Sequence, residues 1–143
     1  MSFDFEKQYS EEWRKLGFYY QFDNENSCWR IFGSRDGLVN LCDLLLDYVK
    51  SNRHTGISDH EHYGPDSYLK VVTWHFPIIN HDGIYGSPED ILKLEGLIRR
   101  KIFFASIDEE MHIDRDYSDK NECYLLIKLM GDGFDPATFS KTA

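Results

Sequence analysis

The chain has 143 residues, of which 41% are hydrophobic and 15% aromatic, and its formal net charge is -9. A chain of this length and composition can bury a core, so we expect one domain over residues 1–143 and exclude a disordered protein. The acidic balance argues against binding nucleic acid, because that binding requires a basic surface. It is compatible with a basic protein partner.

The cysteines and the N-terminus bear on the cellular compartment. The three cysteines form no C-x-x-C pair, which predicts free thiols in a reducing environment. The first residues, MSFDFE, have neither the basic region nor the apolar core of a signal peptide. No apolar run approaches the ~20 residues of a membrane span. We therefore expect a cytoplasmic protein without a membrane segment.

The first third of the chain predicts a helix, a hairpin and a second helix. Apolar residues recur at helical spacing over residues 5–16, and Gly17 is a plausible stop. Aromatic and β-branched runs flank residues 23–26, which is the pattern of a hairpin. Ser34 is expected to cap a helix that extends to Lys50 and buries most of its surface.

The most strand-like run covers residues 68–76, and both of its faces are largely apolar. Apolar residues on both faces predict a central strand, with His75 on a buried face. The segments before and after it, residues 51–65 and 78–86, are expected to be polar loops.

The last third predicts a helix followed by a second hairpin. Ser87 and Pro88, with an acid at the third helical position, form a helix start. Alternation over residues 109–117 predicts a strand with one acidic face, paired with an apolar strand over residues 123–130. Regular structure is expected to end at Gly131.

Helices and antiparallel hairpins are mixed along the chain, which places the fold in the α+β class. We expect a single, mostly antiparallel sheet of about five strands with the two main helices packed on one face.

The acidic run over residues 108–122 has seven acids against two bases. Such a face can steer and hold a basic partner. The alternative is a charged strand edge that prevents aggregation between sheets. The candidate partner-binding residues are Glu110, His112, Asp114, Asp116 and Asp119.

A second candidate site is the pair His60 and His62. An extended chain puts both imidazoles of a His-x-His pair on one side, where they can bind a transition metal such as zinc. Asp59, Glu61 and His54 are possible further ligands, because a catalytic metal site usually needs three protein ligands. A solvated loop or a recognition loop is the alternative. The chain has no phosphate-binding loop and no serine-nucleophile motif, so no catalytic residue is assigned.

Three stretches together resemble a family of small bacterial proteins of similar length: EWRKLGFYY at residues 12–20, ISDHEHYGP at residues 57–65 and GFDP at residues 133–136. This family looks like the immunity proteins encoded beside polymorphic toxins. The resemblance spans most of the chain and carries no catalytic residue. It implies a cytoplasmic protein that neutralises a toxin by occluding it.

The first hypothesis is therefore an acidic protein-binding module without a cofactor, most concretely an immunity-type inhibitor of a basic toxin domain. The second is a metal-binding protein or metal-dependent enzyme that uses His60 and His62. A structural subunit of a homo-oligomer also stays open.

Overall fold

The computed structural model describes residues 4–65 and 69–142. The helices are α1 (Phe5–Leu16), α2 (Arg35–Lys50), α3 (Pro88–Phe104), α4 (Asp114–Tyr117) and α5 (Pro136–Ser140). The strands are β1 (Phe18–Asp23), β2 (Cys28–Gly33), β3 (His60–Tyr63), β4 (Leu69–Thr73), β5 (Ile78–Asn80), β6 (Gly83–Gly86), β7 (Glu110–His112) and β8 (Tyr124–Leu129). A 3-10 turn, Asn52–His54, follows α2.

The strands form two four-stranded mixed sheets, so the expected single, mostly antiparallel sheet of about five strands is wrong. The first sheet has the order β1-β2-β8-β7 and the second has the order β3-β4-β6-β5. In each sheet a central parallel pair, β2–β8 or β4–β6, joins two antiparallel pairs. In the first sheet, local sequence patterns indicate the antiparallel neighbours, whereas the parallel partners β2 and β8 are distant in the chain. The second sheet includes β3, β5 and β6, which lie in segments expected to be loops. The α+β class is confirmed.

α1 and α2 begin and end at the predicted residues, and α3 begins where predicted. Gly17 follows α1 in the left-handed region, with φ of 87°, where glycine has no steric penalty. The Ser34 side chain accepts a hydrogen bond from the Gly37 N–H at the start of α2. At the start of α3, Ser87 and Asp90 form a reciprocal capping box. These local interactions satisfy backbone groups that have no partner inside the helix.

A single cluster of buried side chains joins both sheets with α2 and α3. The fully buried members from the two helices include Leu38, Leu45, Ile91, Leu94 and Ile98. The two sheets meet where β5 lies beside β2 and the start of β8. There the Ile79 carbonyl accepts hydrogen bonds from the backbone N–H groups of Glu122 and Cys123 at 2.9 and 3.1 Å. The Trp29 Nε1–H donates to the Asn80 carbonyl at 2.8 Å.

The strand expected over residues 68–76 is shorter than predicted. β4 is an interior strand, as predicted, but it ends at Thr73, and Tyr68 lies outside the described residues. The chain leaves the sheet after the Trp74 N–H donates to the Gly86 carbonyl. His75 is therefore exposed, and its expected place on a buried face is wrong.

Three segments that were expected to lack regular structure form strands or a helix. The polar connection before β4 includes β3, and the segment after β4 forms the hairpin of β5 and β6. In that hairpin, Asn80 Oδ1 accepts hydrogen bonds from the N–H groups of Asp82 and Gly83 at 2.9 and 3.3 Å. Beyond Gly131 the chain forms α5, which Asp135 caps.

The junction between α1 and β1 makes a close backbone contact with the first turn of α2. A Cβ atom built on Gly37 would lie 2.0 Å from the Gly17 carbonyl oxygen, which is part of the backbone and cannot rotate away. Glycine at position 37 therefore allows α2 to approach this junction.

We expect Gly37→Ala to lower the free energy of unfolding by about 1–3 kcal/mol, because the added methyl group forces these backbones apart. Gly96→Ala in α3 is the matched control, since its added Cβ meets no atom within 4 Å in the described part of the chain, apart from its chain neighbours and the backbone of its own helix. There alanine should raise the free energy of unfolding by about 0.5–1 kcal/mol through its helix propensity. Urea denaturation of both variants provides the measurement, and a stabilised Gly37→Ala variant would contradict the contact.

Candidate functional site

An open cleft of about 630 Å³ lies at the end of the first sheet where β8 begins. The turn between β1 and β2 forms one wall, and the segment from α4 to the first residue of β8 forms the other. The lining residues are Glu25, Asn26, Ser27, Asp114, Arg115, Ser118, Asp119, Asn121, Glu122, Cys123 and Tyr124. We call this feature the acidic cleft.

The charge of the acidic cleft is negative. Among its described lining residues, Glu25, Asp114, Asp119 and Glu122 are acids, and Arg115 is the one base. The side chains of Glu25, Asp119 and Glu122 are exposed. Their carboxylates are therefore available to a positively charged group from solvent.

Tyr124 and Cys123 are two of the uncharged residues that line the acidic cleft. Tyr124 is 51% exposed, and its ring lies edge-on to that of His112, with ring centroids 6.3 Å apart. Burial, followed by the neighbouring charge of Glu122, raises the pKa of the Cys123 thiol, so this thiol stays protonated at neutral pH. An exposed tyrosine ring beside carboxylates is suited to the aliphatic stem and charged head of arginine or lysine.

Asn121 holds the acidic wall of the cleft in place. Its Oδ1 accepts a hydrogen bond from the Ile79 N–H at 2.9 Å. Its Nδ2 group donates to the carbonyl oxygens of Asp114 and Ser118, both at 2.8 Å. The one side chain thus connects α4, the following loop and the second sheet, so the acidic wall is ordered before a partner binds.

The acidic strand expected over residues 109–117 is wrong beyond His112. β7 ends there, and the chain turns into the one-turn helix α4. Asp114 is only 4% exposed, and its Oδ1 accepts a hydrogen bond from the Leu125 N–H at 2.9 Å. This carboxylate replaces a backbone carbonyl as the acceptor opposite β8, which ends the pairing of β7 with β8. The acids of residues 109–117 therefore do not share one strand face.

Two of the predicted partner-binding residues lie outside the acidic cleft on β7. Glu110 and His112 share the face of the first sheet that carries Arg30. Glu110 Oε2 lies 3.3 Å from Arg30 Nη1, which neutralises part of its charge. His112 Nδ1 lies 3.7 Å from Asp114 Oδ1. These two residues therefore border the cleft rather than line it.

The other three predicted partner-binding residues lie in different places. Asp114 and Asp119 line the acidic cleft, although Asp114 is buried in a structural role. Asp116 faces away, where its Oδ2 lies 3.1 Å from Lys101 Nζ on α3. Their role in binding a partner remains a prediction.

Glu25 lines the cleft although the sequence does not indicate it as a candidate site residue. It lies in the β1–β2 turn, far along the chain from the acidic run. The parallel pairing of β2 with β8 brings it there, since the Tyr124 N–H donates to the Ser27 carbonyl at 2.9 Å. No local pattern predicts a parallel pairing of this kind.

His60 and His62 lie side by side on β3, as predicted, with ring centroids 4.9 Å apart. Both are exposed. Glu61 points to the opposite side, where its Oε2 lies 3.2 Å from His54 Nε2. Asp59 Oδ2 accepts a hydrogen bond from a backbone N–H of the preceding turn at 2.8 Å. In residues 4–65 and 69–142, no group of three or more potential metal ligands comes together.

Comparison with known proteins finds no relative, since no family model, no curated protein and no solved structure matches the chain. The likeness to immunity proteins therefore remains a prediction from the sequence. No helix in the part of the chain that the structure describes has the length and apolar character needed to cross a membrane.

We expect Asn121→Ala to lower the free energy of unfolding by about 1–3 kcal/mol, because the Ile79 N–H and two carbonyl groups lose their partner. Asn26→Ala is the control in the opposite wall. The Asn26 side chain is exposed and donates to Asp23 alone among the described residues, so its loss should cost less than about 0.5 kcal/mol. Chemical denaturation measures both variants, and equal effects would contradict the role of Asn121.

Proposed function

We propose that this chain is an acidic protein-binding module that holds a basic partner in the acidic cleft. One observation carries the proposal. Three exposed carboxylates, those of Glu25, Asp119 and Glu122, line the same cleft as the half-exposed ring of Tyr124. The hydrogen bonds of Asn121 hold that wall in position.

The physical basis is electrostatic steering toward an ordered site. Carboxylates around a concave surface attract a cationic partner over about 8–10 Å at physiological salt. Once the partner has docked, the Tyr124 ring provides contact area with few rotatable bonds. An ordered wall loses little conformational entropy on binding. We therefore expect association that is fast and that weakens as salt is added.

The most concrete form of this function is an immunity-type inhibitor of a basic toxin domain. A toxin that acts on nucleic acid needs a basic surface to hold the phosphate backbone. A protein with an acidic cleft inhibits such a toxin by covering that surface. The three stretches that resemble immunity proteins support this form. It requires a toxin reading frame beside the gene for this chain, and a gene neighbourhood without one contradicts it.

We expect charge reversal in the cleft to reduce affinity for a deca-arginine peptide at about 0.15 M salt, where charges more than about 8 Å away are largely screened. In the double variant Asp119→Lys, Glu122→Lys, two attractive charges become repulsive, so affinity should fall at least about tenfold. Titration followed by ¹⁵N–¹H chemical shifts provides the affinity. It also shows whether the shifted amides lie in residues 24–27 and 118–124.

The control is the double variant Glu12→Lys, Asp47→Lys, which makes the same change in net charge on exposed positions of α1 and α2. Its affinity for the peptide should remain within about threefold of the parent protein, because the added charges are distant and screened. If both double variants lose affinity equally, the net charge alone binds the peptide and the acidic cleft is not the site.

A second candidate function is metal binding at β3, favoured by the two imidazoles that lie 4.9 Å apart. This hypothesis predicts about one transition-metal ion per chain in protein purified without a histidine tag. Inductively coupled plasma mass spectrometry measures the ratio. The metal should be absent from His60→Ala, His62→Ala and present in the control His81→Ala. A parent protein without metal above background rules this function out.

A further inference from the structure

Three large apolar side chains are exposed at the C-terminal end of α3. Phe103 is 75% exposed, Phe104 is 77% exposed and Ile107 is 59% exposed. The two phenylalanine rings meet edge to face, with centroids 5.0 Å apart. We call these residues the aromatic patch. Apolar surface grouped in this way is typical of an interface.

The aromatic patch is held in place rather than carried on a fraying helix end. The Arg35 guanidinium donates hydrogen bonds to the carbonyls of Ile102 and Ala105, the latter at 3.0 Å. After the patch, the Asp108 N–H donates to the Leu129 carbonyl at 2.7 Å. Both ends of the segment are therefore tied to the body of the protein, which lowers the entropy lost on binding.

Opposite charges flank the aromatic patch. The residues just before it are basic and include Arg100, whereas those just after it are acidic and include Asp108 and Glu109. All three side chains are exposed, and none of them has an ion-pair partner within the described residues. Along the chain, a basic segment, the apolar patch and an acidic segment thus follow one another in that order.

This order is self-complementary. In a two-fold symmetric interface the same surface meets itself, so each side of the patch faces the opposite side in the second copy. A two-fold axis through Phe103 and Phe104 would bring Arg100 of one copy toward Asp108 and Glu109 of the other. Because of the symmetry, the same contact would form on both sides of the axis. We propose that the aromatic patch joins two copies of this chain in a symmetric dimer.

The area of the patch sets the expected strength of this dimer. An aromatic side chain buries about 150–250 Å², so the three side chains offer roughly 400 Å² on each copy. A standard interface buries about 800 Å² per partner. The patch and its charged flanks therefore form a small interface, and we expect dissociation in the micromolar range.

The aromatic patch and the acidic cleft lie near opposite ends of β8. The cleft includes Tyr124, whereas the segment after the patch bonds to Leu129. Five residues of strand separate these ends by about 16 Å. A dimer through the patch therefore leaves both clefts open, and the two proposals can fail independently.

Sedimentation velocity over protein concentrations from about 5 to 500 µM tests the dimer. The mass of the parent protein should rise from 16.9 kDa toward twice that value. Phe103→Ser, Phe104→Ser should weaken dimerisation at least about 100-fold, because it removes the centre of the interface. Its thermal unfolding at low concentration should match the parent's, since both side chains are exposed. Leu92→Ser, an exposed position of α3 outside the patch, should leave dimerisation within about threefold.

Charge variants distinguish a second copy from another protein. Arg100→Glu should weaken dimerisation about tenfold, and added salt should partly restore it because it screens repulsion between the copies. Lys50→Glu makes the same charge change on α2 and should have no such effect. Adding Asp108→Asn to Arg100→Glu should recover affinity, because one repulsive partner is removed. Asparagine suits the φ of 72° at this position.

Two results would overturn the dimer. One is a mass that stays at 16.9 kDa over the whole concentration range. The other is a dimer that survives Phe103→Ser, Phe104→Ser. The parent protein could instead be monomeric, with this double variant losing its affinity for a toxin domain. In that case the patch binds that partner, and the proposal of a dimer is wrong. Binding of deca-arginine in the cleft is measured separately and does not depend on either result.

Discussion

The parallel pairing of β2 with β8 is the constraint on which the rest of the structure depends. β8 is an interior strand, and its residues Leu125, Ile127 and Leu129 are almost fully buried. This strand aligns the β1–β2 turn with the segment after α4, which makes the acidic cleft. At its other end it bonds to the chain that follows the aromatic patch. One buried strand thereby determines where both candidate surfaces lie.

Asp114 shows how a single buried carboxylate divides an acidic segment into parts with different roles. Burying a charged group is unfavourable unless hydrogen bonds compensate for the lost water. The Leu125 N–H, at 2.9 Å, provides that compensation and also ends β7. Beyond this point the chain turns, so Asp116 pairs with Lys101 while Asp119 and Glu122 line the cleft. The turn at Asp114 thus separates the acids that line the cleft from Asp116, which forms an ion pair on α3.

The two candidate surfaces use different physical forces. A basic partner in the acidic cleft would be held by charge, which works at a distance and is sensitive to salt. A second copy on the aromatic patch would be held by apolar contact, which is short-ranged and gains strength only when water is excluded. Separation along β8 allows each surface to bind without blocking the other. A dimer would present two clefts, and a partner with two basic sites would bind it more tightly than a monomer.

The sequence by itself determined where the three main helices begin and where α1 ends. Capping at Ser34 and Ser87, and the stop at Gly17, involve residues a few positions apart, so local patterns predict them. The tertiary structure alone decided the division into two sheets, because the central parallel pair of the first sheet, β2 and β8, joins strands that are distant in the chain. It also decided the burial of Asp114 and the place of Glu25 in the cleft. Both depend on the pairing of β8 with its neighbours, which no spacing of residues along the chain encodes.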